Sequence, residues 1–198
     1  MRRRRIGRAL GLAGSALAVA ALTGKARGRA LDDRLYEAIN SRLEHPTLDR
    51  LFSTLTELGS LYASIGAGAA LAASGRRREA ASAVGAAGTM WVLGQALKRG
   101  YRRSRPFDSI APGRLLIGKP RGTSWPSSHP AVFLTFALVA ARRLDLPGPA
   151  RGALVALAGG VAFSRVYLGV HYPSDVAGGM LLGRAVADVW TAADPDVR

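Results

Sequence analysis

The chain has 198 residues, 48% of them hydrophobic, no cysteine and a formal net charge of +15. That length suits one domain, and the lack of cysteine excludes disulfides, thiolate chemistry and Cys-based metal sites. The cations are scattered between apolar runs and aromatics are only 7%, which excludes a nucleic-acid interface and suggests a small polytopic membrane protein with basic loops.

Residues 1–8 are Arg-rich and residues 9–24 carry no charge. This reads as a first membrane helix that stays in the protein; the alternative is a signal peptide, with Ala18 and Ala20 as its small residues. Over 31–46, Leu31, Leu35, Ile39 and Leu43 recur every four residues among charges. That spacing predicts an amphipathic helix lying on the membrane surface. Pro46 ends it or starts the next helix, and His45 at this junction reads as a helix-end or loop residue.

Uncharged stretches follow at 58–75 and 80–97, and another apolar one at 122–141, closed by Arg76–Arg78, Lys98 and Arg142–Arg143 respectively. Each has about the length of a membrane-spanning helix. The run 152–164 is extended past Arg165 by Val166, Tyr167 and Leu168. The last candidate, 173–192, contains Arg184 and Asp188; Pro173 suits its first turn, and Gly179 with Gly183 offers a small-residue face for close helix contact. The fold expected is all-α, an integral-membrane bundle of about six transmembrane helices plus one amphipathic surface helix. A soluble all-α bundle is the alternative, since buried helices can also be apolar all round. Residues 1–30 form the basic segment and first helix, 31–192 the main domain and 193–198 a short polar tail.

Three polar islands interrupt these helices: Lys98 with Arg105-Pro106, then Pro126-Ser127-Ser128-His129, then Ser164-Arg165 with His171 and Asp175. They follow the third helix, open the fourth, end the fifth and open the sixth, so an antiparallel bundle brings them to one face. Lys98, Arg105 and Arg165 can hold phosphate oxygens, Arg with its forked donors. Ser127 and Ser128, after Pro126, fall in the first turn of a helix, where free N–H groups favour an anion. A neutral imidazole can attack phosphorus, a nearby carboxylate can orient it, and a second imidazole can protonate the leaving oxygen.

At these residues the chain resembles the type 2 phosphatidic acid phosphatase superfamily, which includes bacterial acid phosphatases and vanadium haloperoxidases. The family signature Lys-x6-Arg-Pro, Pro-Ser-Gly-His and Ser-Arg-x5-His-x3-Asp is matched from Lys98 to Asp175, except that Ser128 stands where the pattern has Gly. The resemblance covers roughly residues 31–192, including His45-Pro46 through Leu58-Gly59-Ser60. It implies His171 as nucleophile, Asp175 as its partner and His129 as general acid. It makes Lys98, Arg105, Ser127, the N–H of Ser128 and Arg165 phosphate ligands, with neither metal nor cofactor.

The expected activity is hydrolysis of a phosphate monoester or diphosphate on a lipid, such as a polyprenyl diphosphate or phosphatidate. Phosphotransfer from a lipid diphosphate is the alternative, and a non-catalytic protein binding anionic lipid a remote one. The partners expected are the lipid phosphate and membrane lipids, without nucleic acid; the sequence leaves the oligomeric state open. The basic turns at Arg2–Arg5, Arg76–Arg78 and Arg142–Arg143 place those ends in the cytoplasm, which puts the islands outside. The loop 98–121 opposes this with eight Lys and Arg residues, several of which the phosphate site would use.

Overall fold

Alanine and glycine set how closely the helices of this chain approach one another. The computed structural model describes residues 2–109 and 113–194, which are helical with no strand. The expected tail lies outside the described residues from 195 onward, as do residues 110–112 of the loop before the second island. In order the helices are α1 (Arg2–Thr23), α2 (Ala26–Asn40), α3 (Pro46–Leu55), a 3-10 turn (Thr56–Gly59), α4 (Leu61–Ala73), α5 (Arg77–Gly100), the one-turn α6 (Pro106–Ser109), α7 (Ser128–Arg143), α8 (Gly148–Tyr167) and α9 (Pro173–Ala193).

Helix α7 is the centre: it packs on α4, α5, α8 and α9, while α1 closes the bundle against α9. Its Ala131, Val132 and Val139 meet Ala83, Ala86, Ala87 and Met90 of α5 and Leu182 and Ala187 of α9 in one buried cluster. The small-residue face expected on α9 is real. A Cβ on Gly183 would lie 2.5 Å from the Ala131 carbonyl, and one on Gly179 would lie 2.3 Å from that of Ser127. Only glycine permits that approach, and it fixes the start of α9 beside the start of α7.

Several sequence expectations shift. The helix expected at 122–141 begins only at Ser128. Upstream, the N–H of Ser124 bonds the Arg103 carbonyl and that of Ser127 bonds the Asp175 carbonyl, so the backbone serves tertiary contacts instead of a helix. Pro126 therefore lies before the helix, Ser127 is its N-cap residue and Ser128 its first residue. Helix α8 starts at Gly148, earlier than 152, behind Pro147. Helix α4 has 13 residues, about 20 Å of rise against a hydrocarbon core of about 30 Å. By length and composition alone, α1 and α5 are the two helices among the described residues long and apolar enough to cross a bilayer.

The amphipathic helix is shorter than expected and keeps its leucines outward. It ends at Asn40, and its buried face is Asp32, Tyr36 and Asn40. The leucines point outward: Leu31 is 59% exposed, Leu35 45% and Leu43 44%. Polar contacts hold the inward face, since Asn40 donates to the Tyr167 carbonyl at 2.8 Å and exchanges bonds with the Arg114 backbone at 2.8–2.9 Å. His45 is a helix-end residue as expected, its Nδ1 accepting from the Thr47 N–H at 3.2 Å to cap α3. At the opposite end of the bundle the fully buried Asp188 binds Arg8 of α1 at 2.6 Å, Arg142 of α7 at 2.5 Å and Arg184 at 3.3 Å. A buried carboxylate needs such partners, and this one ties three helices together.

Candidate active site

The three islands meet at one end of the bundle. Lys98 comes from the last turn of α5, Ser128 and His129 from the first turn of α7, Arg165 from the last turn of α8 and Asp175 from the first turn of α9. Arg105 precedes α6, and His171 sits in the connection between α8 and α9. Arg105, Ser127, Arg165, His171 and Asp175 are all buried, none more than 4% exposed. His129 lies within electrostatic reach of Arg165, His171, Lys98 and Arg105.

His171 is held from both ring nitrogens. Arg105 Nη1 stands 3.3 Å from Nε2, and Ser124 Oγ stands 3.4 Å from Nδ1. A guanidinium can only donate, so Nε2 carries the lone pair and the ring proton is on Nδ1. Burial, then the charges of Arg105, Arg165 and Lys98, hold the His171 pKa well below its ordinary value. The ring is therefore neutral at neutral pH, with its Nε2 lone pair turned to Arg105.

Behind the ring, Asp175 is 3.6 Å from Nδ1. Ser124 sits between them and donates to the Asp175 carboxylate. The carboxylate also accepts from the Tyr172 N–H at 2.9 Å and from Arg103 Nη1 at 2.8 Å. Arg103 continues to Ser174 Oγ at 2.7 Å and to Asp32 of α2 at 2.6 Å, and its guanidinium lies 4.1 Å over the Tyr172 ring. Asp32 in turn accepts from both the N–H and the hydroxyl of Ser174. Ser124, Arg103 and Asp32 were not singled out from the sequence. Arg103 lies within the Lys98–Arg105 island, and the repeat of Asp32, Tyr36 and Asn40 at four-residue spacing was a second helical face that could have flagged the last.

At the start of α7 and the end of α8 some polar atoms are unpaired. Ser127 Oγ, Ser128 Oγ and Arg165 Nε are buried without a protein partner among the described residues. Arg165 is aimed by Thr56 of the 3-10 turn at 2.8 Å, and Arg105 by the carbonyls of Gly122 at 3.0 Å and Val170 at 2.9 Å. Buried donors without acceptors are costly unless an anion supplies them. The serine that replaces glycine at 128 fits because α5 carries glycine opposite: a Cβ on Gly94 would stand 3.3 Å from Ser128 Oγ. On the other flank Gly59 lets the turn close on His129, where a Cβ would come within 2.7 Å of the histidine Cβ.

Fold and site together define a helical bundle that gathers two histidines, three cations and a braced carboxylate at one end. The chain belongs to the PAP2 superfamily, whose family model matches residues 79–197. It is 38% identical over 121 residues to the decaprenylphosphoryl-5-phosphoribose phosphatase of Mycobacterium tuberculosis, covering 61% of this chain and 64% of that one. It is 36% identical over 96 residues to the undecaprenyl-diphosphatase of Sulfolobus acidocaldarius, covering 46% and 44%. The chain thus spans less than two thirds of the length of these relatives. The fold is also that of a transmembrane PAP2-type phosphatidylglycerolphosphate phosphatase from Bacillus subtilis, with a TM-score of 0.79 at 23% identity over 96% of this chain and 98% of that one.

Proposed function

We propose that this protein is a metal-independent membrane lipid phosphatase that removes phosphate from a lipid monoester or diphosphate through a phosphohistidine. The observation that carries the reading is the placing of His171, with Nε2 against the Arg105 guanidinium and Nδ1 against Ser124 and Asp175, which assigns the ring proton to Nδ1. That is the form a nucleophilic imidazole needs.

The phosphate dianion sits among Lys98, Arg105 and Arg165, with Ser127 and the N–H of Ser128 at the start of α7 as further donors. His171 Nε2 attacks phosphorus as the bond to the lipid oxygen breaks. His129, protonated, gives its proton to that oxygen. Asp175 stabilises the positive ring, acting through Ser124 and held by Arg103. Water then attacks the phosphohistidine, His129 takes its proton, and phosphate leaves with His171 restored. If the second acceptor is a lipid hydroxyl instead of water, the same site is a phosphotransferase.

The names of the relatives support a polyprenyl phosphate or diphosphate as the substrate class. We read α1, α4, α5, α7, α8 and α9 as six membrane spans, with α1 retained as the first and residues 31–192 as the main domain. The turns at Arg76–Arg78 and Arg142–Arg143 are cytoplasmic and the site is extracytoplasmic. The test is purified protein in detergent, assayed for phosphate release on a panel of lipid phosphates with and without EDTA. Release from at least one polyprenyl substrate, unchanged by EDTA, is the expected result. Loss to EDTA with recovery on adding Mg²⁺ contradicts the mechanism.

A further inference from the structure

The outward leucines of α2 form one wall of a groove. Leu31 and Leu35 face Leu22 of α1 across a cavity of about 660 Å³, with Ala177 of α9 also lining it. Asp32 and Ser174 line the groove as well, and Lys25 and Arg27 stand there as exposed cations. No carboxylate among the described residues pairs with either cation. None of the phosphate-site residues on α5, α7 or α8 lines the groove, so it is distinct from that site.

We infer that this groove is a second lipid site that takes an anionic phospholipid and sets the working rate of His171 and Asp175. Apolar walls suit one hydrocarbon chain, and the unpaired Lys25 and Arg27 suit the phosphate of its headgroup. A second copy of this basic chain would set like charges against one another at the same place. A phosphate bound beside His171 lies among residues that do not line this groove. The link to catalysis is direct: Asp32 and Ser174 are the partners of Arg103, and Arg103 holds Asp175. A lipid seated between α1 and α2 presses α2 onto α9 and keeps Asp32 in place. The inference rests on the membrane placement and the phosphatase reading proposed above.

The experiment uses the full chain in mixed micelles at fixed substrate and total lipid, adding phosphatidylglycerol or phosphatidylcholine. Native mass spectrometry counts bound lipid on the same samples and needs no turnover. Phosphatidylglycerol is retained and raises kcat several-fold, and phosphatidylcholine does neither. The double variant Lys25→Gln/Arg27→Gln keeps basal activity but needs roughly tenfold or more phosphatidylglycerol for half-activation. Leu31→Gln weakens retention without touching the cations, and so separates groove binding from bulk charge. Equal responses to the two lipids, an unshifted double variant, or a dimer occupying the groove overturns the inference. Absence of phosphate release from every substrate, with phosphatidylglycerol still bound, contradicts the phosphatase reading and leaves the site itself standing.

Discussion

A single hydroxyl separates the histidine of this site from its carboxylate. With Asp175 3.6 Å from Nδ1 and Ser124 bonded to the carboxylate, the imidazolium formed during attack is stabilised through Ser124. Ser124→Ala should lower kcat roughly 10- to 100-fold, the scale of one charge-assisted hydrogen bond, and leave KM nearly unchanged. A kcat within twofold of wild type removes Ser124 from the relay. Arg103→Ala should lower kcat similarly, and Arg103→Lys should recover only part of the loss, because lysine lacks the fork that spans Asp32, Ser174 and Asp175. Full recovery by lysine shows that charge alone matters there. Arg105, Arg165, His129 and His171 were legible in the sequence because ionisable groups stand out against apolar helices. Ser124 was not, because one serine among Thr123, Ser127 and Ser128 carries no signal until its partner is known.

At the scale of elements, the register between α7 and α9 decides whether the site exists. Gly179 and Gly183 bring α9 onto the Ser127 and Ala131 carbonyls, and this puts Asp175 beside the turn that carries Ser124. Gly183→Leu should cost about 1–3 kcal/mol of stability by overpacking and lower activity in proportion to the displacement of α9. Gly66→Leu on α4, where an added Cβ meets nothing within 4 Å, is the matched control and should leave both unchanged. A stable, active Gly183→Leu protein contradicts the register argument. The small-residue face was readable because spacing alone defines it. The start of α7 was not, since the backbone N–H groups of Ser124 and Ser127 bond partners 21 and 48 residues away in sequence. The outward leucines of α2 fit the surface helix expected there; the polar face of Asp32, Tyr36 and Asn40 that packs inward was not foreseen, because periodicity identifies an apolar face but not what covers the opposite one.

For the whole molecule, the ends of the bundle carry opposite duties. One end gathers cations for an anionic substrate; the other ties α1, α7 and α9 through Asp188. The proposed orientation places the Asp188 end in the cytoplasm and the site outside. The chain has no cysteine, so Ser109→Cys and Gly148→Cys report sidedness cleanly, both positions being exposed. A membrane-impermeant thiol reagent on intact cells should label position 109 and spare 148. The reverse pattern turns the protein over and makes its substrate a lipid of the cytoplasmic leaflet.

In the proposed mechanism, phosphorus passes through His171. Rapid quenching of the wild-type protein with a lipid phosphate labelled in its terminal phosphorus measures this directly. The wild-type protein should form a phosphoenzyme that is labile in acid and stable in base, located on His171 and absent from His171→Asn, which also loses turnover. Label on another residue, or a His171→Asn variant that still releases phosphate near the wild-type rate, contradicts it.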